Sequence, residues 1–159
     1  MKRKTRLPDL RPLPPSVPFE FCPIRASLGV LGRKWALLVL RDVAFFGRVR
    51  FSEFMRNNPG MGPRILSMRL RELEEEGFIG GEPNHADRRE ITYRLTRKGL
   101  DVMPILTAFI QFGIRYHADR VFEDGRPRAL DDVYPKERPR MLGRLLPYAK
   151  VEERSHERP

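Results

Sequence analysis

Apolar residues recur along this chain with two different periods, and the change of period marks out its elements. In "CPIRASLGVL", Ile24, Leu28 and Leu31 fall at helical spacing, with Pro23 in the first turn. "KWALLVLRDVAFFG" is apolar almost all round, so it predicts a mostly buried helix that stops at Gly47. "RFSEFMRNN" predicts a third, short helix with Ser52 as its cap and Phe51, Phe54 and Met55 inward. A fourth follows the Pro59-Gly60 turn and runs from Gly62 to Glu76. After Gly77 the spacing shortens. "FIGGEP" and "EITYRL" are β-prone runs flanking the polar "NHADRR", which predicts a hairpin with a loop of four to six residues. Thr96 then caps a last long helix, roughly 97–118, with an apolar stripe at Val102, Met103, Leu106, Phe109, Ile110 and Tyr116. Pro104 lacks a backbone donor, so a kink or a late start is expected there.

The fourth helix carries the functional signal. At 100° per residue, Leu66, Leu70 and Leu73 share a narrow arc, flanked by Ile65 and Arg69. Arg64, Ser67, Met68 and Arg71 lie on the other side. Glu74, Glu75 and Glu76 occupy the last turn, where they oppose the helix dipole. A helix arranged only for stability would reverse that order, so the positive end reads as presented to a partner.

Charge strengthens this reading. The chain has 31 Lys/Arg against 21 Asp/Glu, a formal +10 that favours an anionic partner such as nucleic acid. Residues 1–20 contribute a net +3, residues 21–118 a net +6 and residues 119–159 only +1, so the excess sits with the helices and the arm ahead of them. That arm, with five prolines in twenty residues, is expected to be extended. Residues 21–118 read as one domain, and residues 119–159 as an extension of unassigned role in which "PRMLGRLLPYA" suits a short amphipathic helix.

Three short helices and a hairpin predict a mainly α fold with a small β wing (α+β), the winged helix-turn-helix. Its second turn helix enters the DNA major groove, where arginine bonds guanine O6 and N7. Arg64, Ser67, Met68 and Arg71 are therefore the expected base readers. Arg69, Lys34, Arg88 and Arg89 are expected at phosphates or the minor groove. Asp87 is expected to hold one of the wing guanidiniums. The width of the last helix's stripe predicts a homodimer through Val102, Leu106, Phe109, Ile110 and Tyr116.

Several ordered segments resemble the HxlR-type family of transcription regulators. They are "CP" at Cys22-Pro23, "GRKW" ending at Trp35, "RFSEF" at 50–54 and "PGM" at 59–61, then "RLRELEEEGFI" at 69–79 and "YRLTRKG" at 93–99. The resemblance implies a homodimeric winged-helix repressor or activator with the N-terminal and last helices at the interface. It also implies that Cys22 senses oxidants or electrophiles, while an inert packing role for this cysteine stays open. Arg33 replaces a glycine frequent in the family, Gly62 replaces a serine cap, and Phe112 stands near a usual tryptophan. The wing lacks a proline pair and is similar to MarR-type regulators in "DRR" followed by "LTRKG".

Other classes have little support. His85, His117 and His156 lack metal-ligand spacing, and neither a P-loop nor a Gly-x-Ser-x-Gly motif is present. No enzyme activity, cofactor or metal is expected. One cysteine excludes an internal disulfide, and the absence of an 18-residue apolar run or a signal-peptide pattern reads as a cytosolic, nucleoid-associated protein. A sequence-independent nucleoid protein and a winged-helix protein-interaction module remain as alternatives, the first predicting strong salt dependence without sequence preference.

Overall fold

The computed structural model describes residues 12–136 and Met141. Helix α1 spans Pro23–Leu31, α2 Ala36–Phe46, α3 Phe51–Asn57 and α4 Pro63–Glu75. Strands β2 (Ile79–Pro83) and β3 (Ile91–Leu95) form the hairpin. The chain continues through α5 (Arg97–Leu100), α6 (Met103–Tyr116), α7 (Ala118–Val121) and α8 (Leu130–Val133). The part of the arm that is described, residues 12–20, is exposed and contains neither helix nor strand.

One strand escapes the sequence pattern. β1 (Val49–Arg50) pairs antiparallel with β3, Val49 opposite Tyr93, giving the sheet order β1-β3-β2. Two residues are too few to show a period of 2. Between β2 and β3, Ile79 faces Leu95 and Pro83 faces Ile91. The loop therefore takes up residues 84–90, longer than the four to six residues expected.

The main core gathers α2, α3, α4 and the sheet around Val39, Leu40, Val43, Val49, Phe54, Leu66, Leu70 and Leu73. Helix α2 lies at its centre and ends at Gly47, as its composition predicts. Ser52 does not cap α3. The cap lies two residues earlier, at Arg50, whose backbone N–H donates to Glu53 Oε2 at 2.8 Å. Glu53 reaches back because position N3 lies under the free N–H groups of the first turn.

The expected long last helix is broken into segments. Thr96 caps α5 by accepting from the Gly99 N–H at 3.1 Å. The chain then bends at Asp101-Val102, and α6 begins with Pro104 in its first turn, where its missing donor has no consequence. Gly99 allows α5 to sit against the start of β2, since a Cβ there would lie 2.0 Å from the Phe78 carbonyl oxygen.

A second small core joins the residues after 118 to α2 and α6. Ile114, Leu130 and Met141 pack with Phe45, Ile110, Phe122, Val133 and Tyr134. Phe45 of α2 stacks on Tyr134, ring centroids 6.0 Å apart. The extension is thus folded back on α2 and α6. The amphipathic helix expected in "PRMLGRLLPYA" lies outside the described residues, except for the buried Met141.

Candidate nucleic-acid interface

The entry to α4 is built by the turn Asn58–Met61. Gly60 sits at φ +91°, and the Met61 N–H donates to the Asn58 carbonyl at 3.1 Å, a type II turn with proline and glycine at its two central positions. Met61 is buried and anchors the turn in the core. A polar clamp holds the other side. Asn58 Nδ2 donates to Asp42 Oδ2 at 2.7 Å and to the Phe54 carbonyl at 2.9 Å. Arg41 donates to Asp42 Oδ1 from Nε (3.0 Å) and from its second amino group, NH2 (2.7 Å); NH2 also donates to Asn58 Oδ1 at 3.0 Å. Asp42 is fully buried, so these bonds are what make its charge tolerable. Sequence reading passed over this clamp. The available signal was an Arg-Asp pair inside the apolar run "LLVLRDVAFF".

Helix α4 turns Leu66, Leu70 and Leu73 into the core and leaves Arg64, Ser67, Met68 and Arg71 exposed, as the wheel predicts. These four share one surface with the start of the helix. Arg71 Nε donates to Glu75 Oε1 at 2.7 Å, a pair with both members in solvent that holds the guanidinium pKa above its ordinary value.

Arg69 is placed differently from the expectation. Its side chain is only 11% exposed, it donates from Nε to the Lys34 carbonyl at 3.0 Å, and its guanidinium pairs with Glu72. Arg33 pairs with the same Glu72. The Arg33–Glu72–Arg69 group ties α4 to the turn between α1 and α2, so Arg69 is spent on tertiary structure. Lys34 itself is exposed, with Nζ 5.3 Å from the Trp35 ring centroid. Trp35, at φ +78°, is the one non-glycine residue with positive φ among the described residues. Its ring packs on the main core, which holds this costly conformation.

The three glutamates that oppose the dipole have partners. Glu74 Oε1 accepts from the Gly81 N–H at 2.9 Å, Glu75 pairs with Arg71, and the Glu76 carbonyl accepts from Lys98 Nζ at 2.6 Å. Two of the three bonds fix the hairpin and α5 to the end of α4. Of the three carboxylates, Glu74 anchors the wing strand β2 and Glu76 lies 3.7 Å from Lys98 Nζ of α5, so two of the charges that oppose the dipole have tertiary partners.

The wing loop is closed by its own polar groups. Asn84 Nδ2 donates to Glu90 Oε2 at 2.7 Å, and Asn84 Oδ1 accepts from the Ala86 N–H at 3.1 Å. Asp87 Oδ1 accepts the Arg89 backbone N–H at 3.0 Å instead of a guanidinium, so it shapes the loop and leaves Arg88 and Arg89 exposed.

The stripe of the last helix divides. Val102 and Leu106 belong to the protomer's own core, 3% and 6% exposed, which removes them from any surface. Ile110 is half-buried against the second core. Phe109 and Tyr116 are exposed, together with Phe112. Ile24 and Leu28 of α1 are also exposed, and with Ile105 and Phe109 of α6 they line an apolar groove of about 580 Å³. Cys22 is exposed at the cap position of α1. Arg25 lies over the Phe21 ring, its guanidinium carbon 5.4 Å from the ring centroid.

Comparison with known proteins agrees with this geometry. The family model for the HxlR-like helix-turn-helix matches residues 30–121. The HTH-type transcriptional regulator YdeP of Bacillus subtilis (strain 168) is 32% identical over 114 residues, covering 72% of this chain and 88% of YdeP. Among solved structures, the redox regulator HypR in its oxidised form is 33% identical over 58% of this chain and 94% of its own, with a TM-score of 0.53. A MarR-family transcriptional regulator from Porphyromonas gingivalis W83 is 28% identical over 64% of this chain and 99% of its own, also with a TM-score of 0.53.

Proposed function

We propose, since this chain belongs to the HxlR-like helix-turn-helix family, that it is a DNA-binding transcriptional regulator that acts as a homodimer in the cytoplasm. The family is one of regulators, not enzymes. The observation that carries the reading is the exposed set Arg64, Ser67, Met68 and Arg71 on a helix whose opposite face is locked into the core. The type II turn and the Asp42–Asn58 clamp set the angle at which that helix leaves the body. Glu74 holds β2 of the wing beside it, and Lys98 ties α5 to its end. Arg64 and its neighbours read base edges, while Lys34, Arg88 and Arg89 contact phosphates or the minor groove. Arg69 has no share in this set.

The exposed apolar face of α1 and α6 supports the dimer. An uncovered surface bearing Ile24, Leu28, Phe109, Phe112 and Tyr116 is costly in water and is covered when two copies meet. Two recognition helices then lie about 34 Å apart and read a near-palindrome.

The experiment is selection of bound duplexes from a random pool, followed by titration of the best and of scrambled duplexes over a salt series. The expected result is preference of about 10³ or more for the selected site. Equal affinity for both would leave only a sequence-independent binder.

The exposure of Cys22 favours a second role. HypR is a redox regulator by its description. With a single cysteine, oxidation here joins Cys22 to its counterpart across the dimer or to a small thiol. Titration with a thiol reagent beside Cys22→Ser tests it: unchanged DNA binding after modification rules the role out.

A further inference from the structure

The groove between α2 and the folded-back extension is unlike the apolar face of α1 and α6. It measures about 510 Å³ and is lined by Phe45, Phe46, Ile110 and Tyr134 on its apolar sides and by Arg41 and Asn57 on its polar side, with Asp42 at its floor. Pockets for small molecules have this size and this mixture of aromatic walls with a few polar groups. The hydrogen bonds of Arg41 to Asp42 and Asn58 run from Nε and NH2, and the other amino group, NH1, takes no part in them. Asn57 adds an amide at the end of α3. Phe46, 66% exposed, stands at the mouth.

We propose that this groove binds a small planar aromatic compound bearing a carbonyl or carboxylate oxygen, and that its occupancy is transmitted to the turn that starts α4. The ring lies among Phe45, Phe46 and Tyr134, where flat apolar surface is removed from water. The oxygen accepts from Arg41 NH1 and the Asn57 amide. A cation is disfavoured by the guanidinium. The route to DNA is short. Arg41 and Asp42 both bond Asn58, whose carbonyl closes the Asn58–Met61 turn. A ligand held by Arg41 NH1 pulls on the same guanidinium whose Nε and NH2 bonds reach Asp42 and Asn58, and the angle of α4 shifts with the turn they fix. The site is independent of the DNA-binding reading; its transmission to α4 rests on that reading.

The test uses the full chain with benzoate, benzamide and toluene as probes, followed by amide chemical shifts and by thermal stability. Saturable binding of benzoate or benzamide, with shifts centred on α2, Asn57 and Tyr134, is expected. Stronger benzoate binding assigns the carboxylate, and equal binding assigns a neutral acceptor. Toluene binding as tightly as both would overturn the polar half of the proposal. Phe46→Ala and Asn57→Ala, both at the rim, should each weaken the probe about tenfold, which is about 1.4 kcal/mol. Binding that neither variant weakens, or that never saturates, would overturn the site. The DNA arm measures affinity for the selected duplex with and without saturating probe. A change of about tenfold in the wild type, absent in Phe46→Ala, supports transmission. Probe binding with constant DNA affinity would refute transmission while leaving the site. A protein that binds no duplex at all would refute the DNA-binding reading and leave the chemical shifts to judge the site.

Discussion

The outer side of α4 and the outer side of α6 are both open to water, yet their exposure has opposite physical meaning. On α4 the open side chains are Arg64, Ser67 and Arg71, with Met68 among them. Charged groups in solvent cost almost nothing, so their exposure alone does not require a partner. On α6 the open side chains are Phe109, Phe112 and Tyr116, and Phe109 shares a groove with the exposed Ile24 and Leu28 of α1. Exposed apolar area costs about 25 cal/mol per Å², and a contiguous patch of it is a surface built to be covered. Energy therefore favours covering the face proposed for the dimer, whereas geometry and family membership together support the proposed DNA face.

The largest effect should come from charging the apolar face. Phe109→Asp places a carboxylate on the face proposed for the dimer and should yield monomers at micromolar concentration, seen by sedimentation equilibrium, with the protomer still folded because Phe109 is 61% exposed in the single chain. A variant that remains dimeric would move the interface elsewhere.

The next contrast lies within α4. Arg64→Ala should cost on the order of 1–3 kcal/mol at the selected site and relax preference at one base pair. Arg69→Ala should do something else. It leaves Glu72 and the Lys34 carbonyl short of a donor, so it should lower folding stability by about 1–2 kcal/mol and leave base preference intact. Chemical denaturation beside duplex titration separates the two, and a change of base preference in Arg69→Ala would make that residue a base reader, against both its expected backbone role and its place in the structure.

At the wing, Arg88→Ala should weaken selected and scrambled duplexes alike and reduce the salt slope by about 1. Loss confined to one sequence would make Arg88 a base reader instead.

The smallest effect concerns Glu53. The Arg50 backbone N–H holds its carboxyl below the ordinary value of 4.5. A lowered folded pKa means stability that is present above the ordinary value and lost as pH falls through the folded one. Glu53→Gln should cost about 0.5–1 kcal/mol at neutral pH and remove this part of the acid sensitivity. Denaturation midpoints of both proteins, measured from neutral pH to below 4, should converge as the pH falls; parallel curves would show that Glu53 is not a pH-dependent cap.

Much of the architecture is legible because local patterns coincide with it. The leucines of α4 recur at helical spacing, the hairpin changes the period to two, and Pro59-Gly60 admits one kind of turn. The misses share a cause. β1 has two residues and exists only because β3 offers it an edge. A wheel sets Arg69 at the flank of the leucine arc, but it knows nothing of the Lys34 carbonyl thirty-five residues earlier that takes the guanidinium out of solvent. Glu74, Glu75 and Glu76 look misplaced against the dipole until Gly81, Arg71 and Lys98 are brought beside them.

Residue order by itself determined where α1 to α4 lie, which face of α4 is apolar, where the wing lies and which family the chain resembles. Each of these depends on neighbours within a few positions or on short motifs in order. Tertiary structure alone decided which charges are free to meet a partner. It buried Asp42 beneath Arg41 and Asn58, spent Arg69 on Glu72, and assigned Val102 and Leu106 to the protomer's core while leaving Phe109 outside. Charge and hydrophobicity are properties of a residue, but solvent access and pairing are properties of its position among segments distant in sequence.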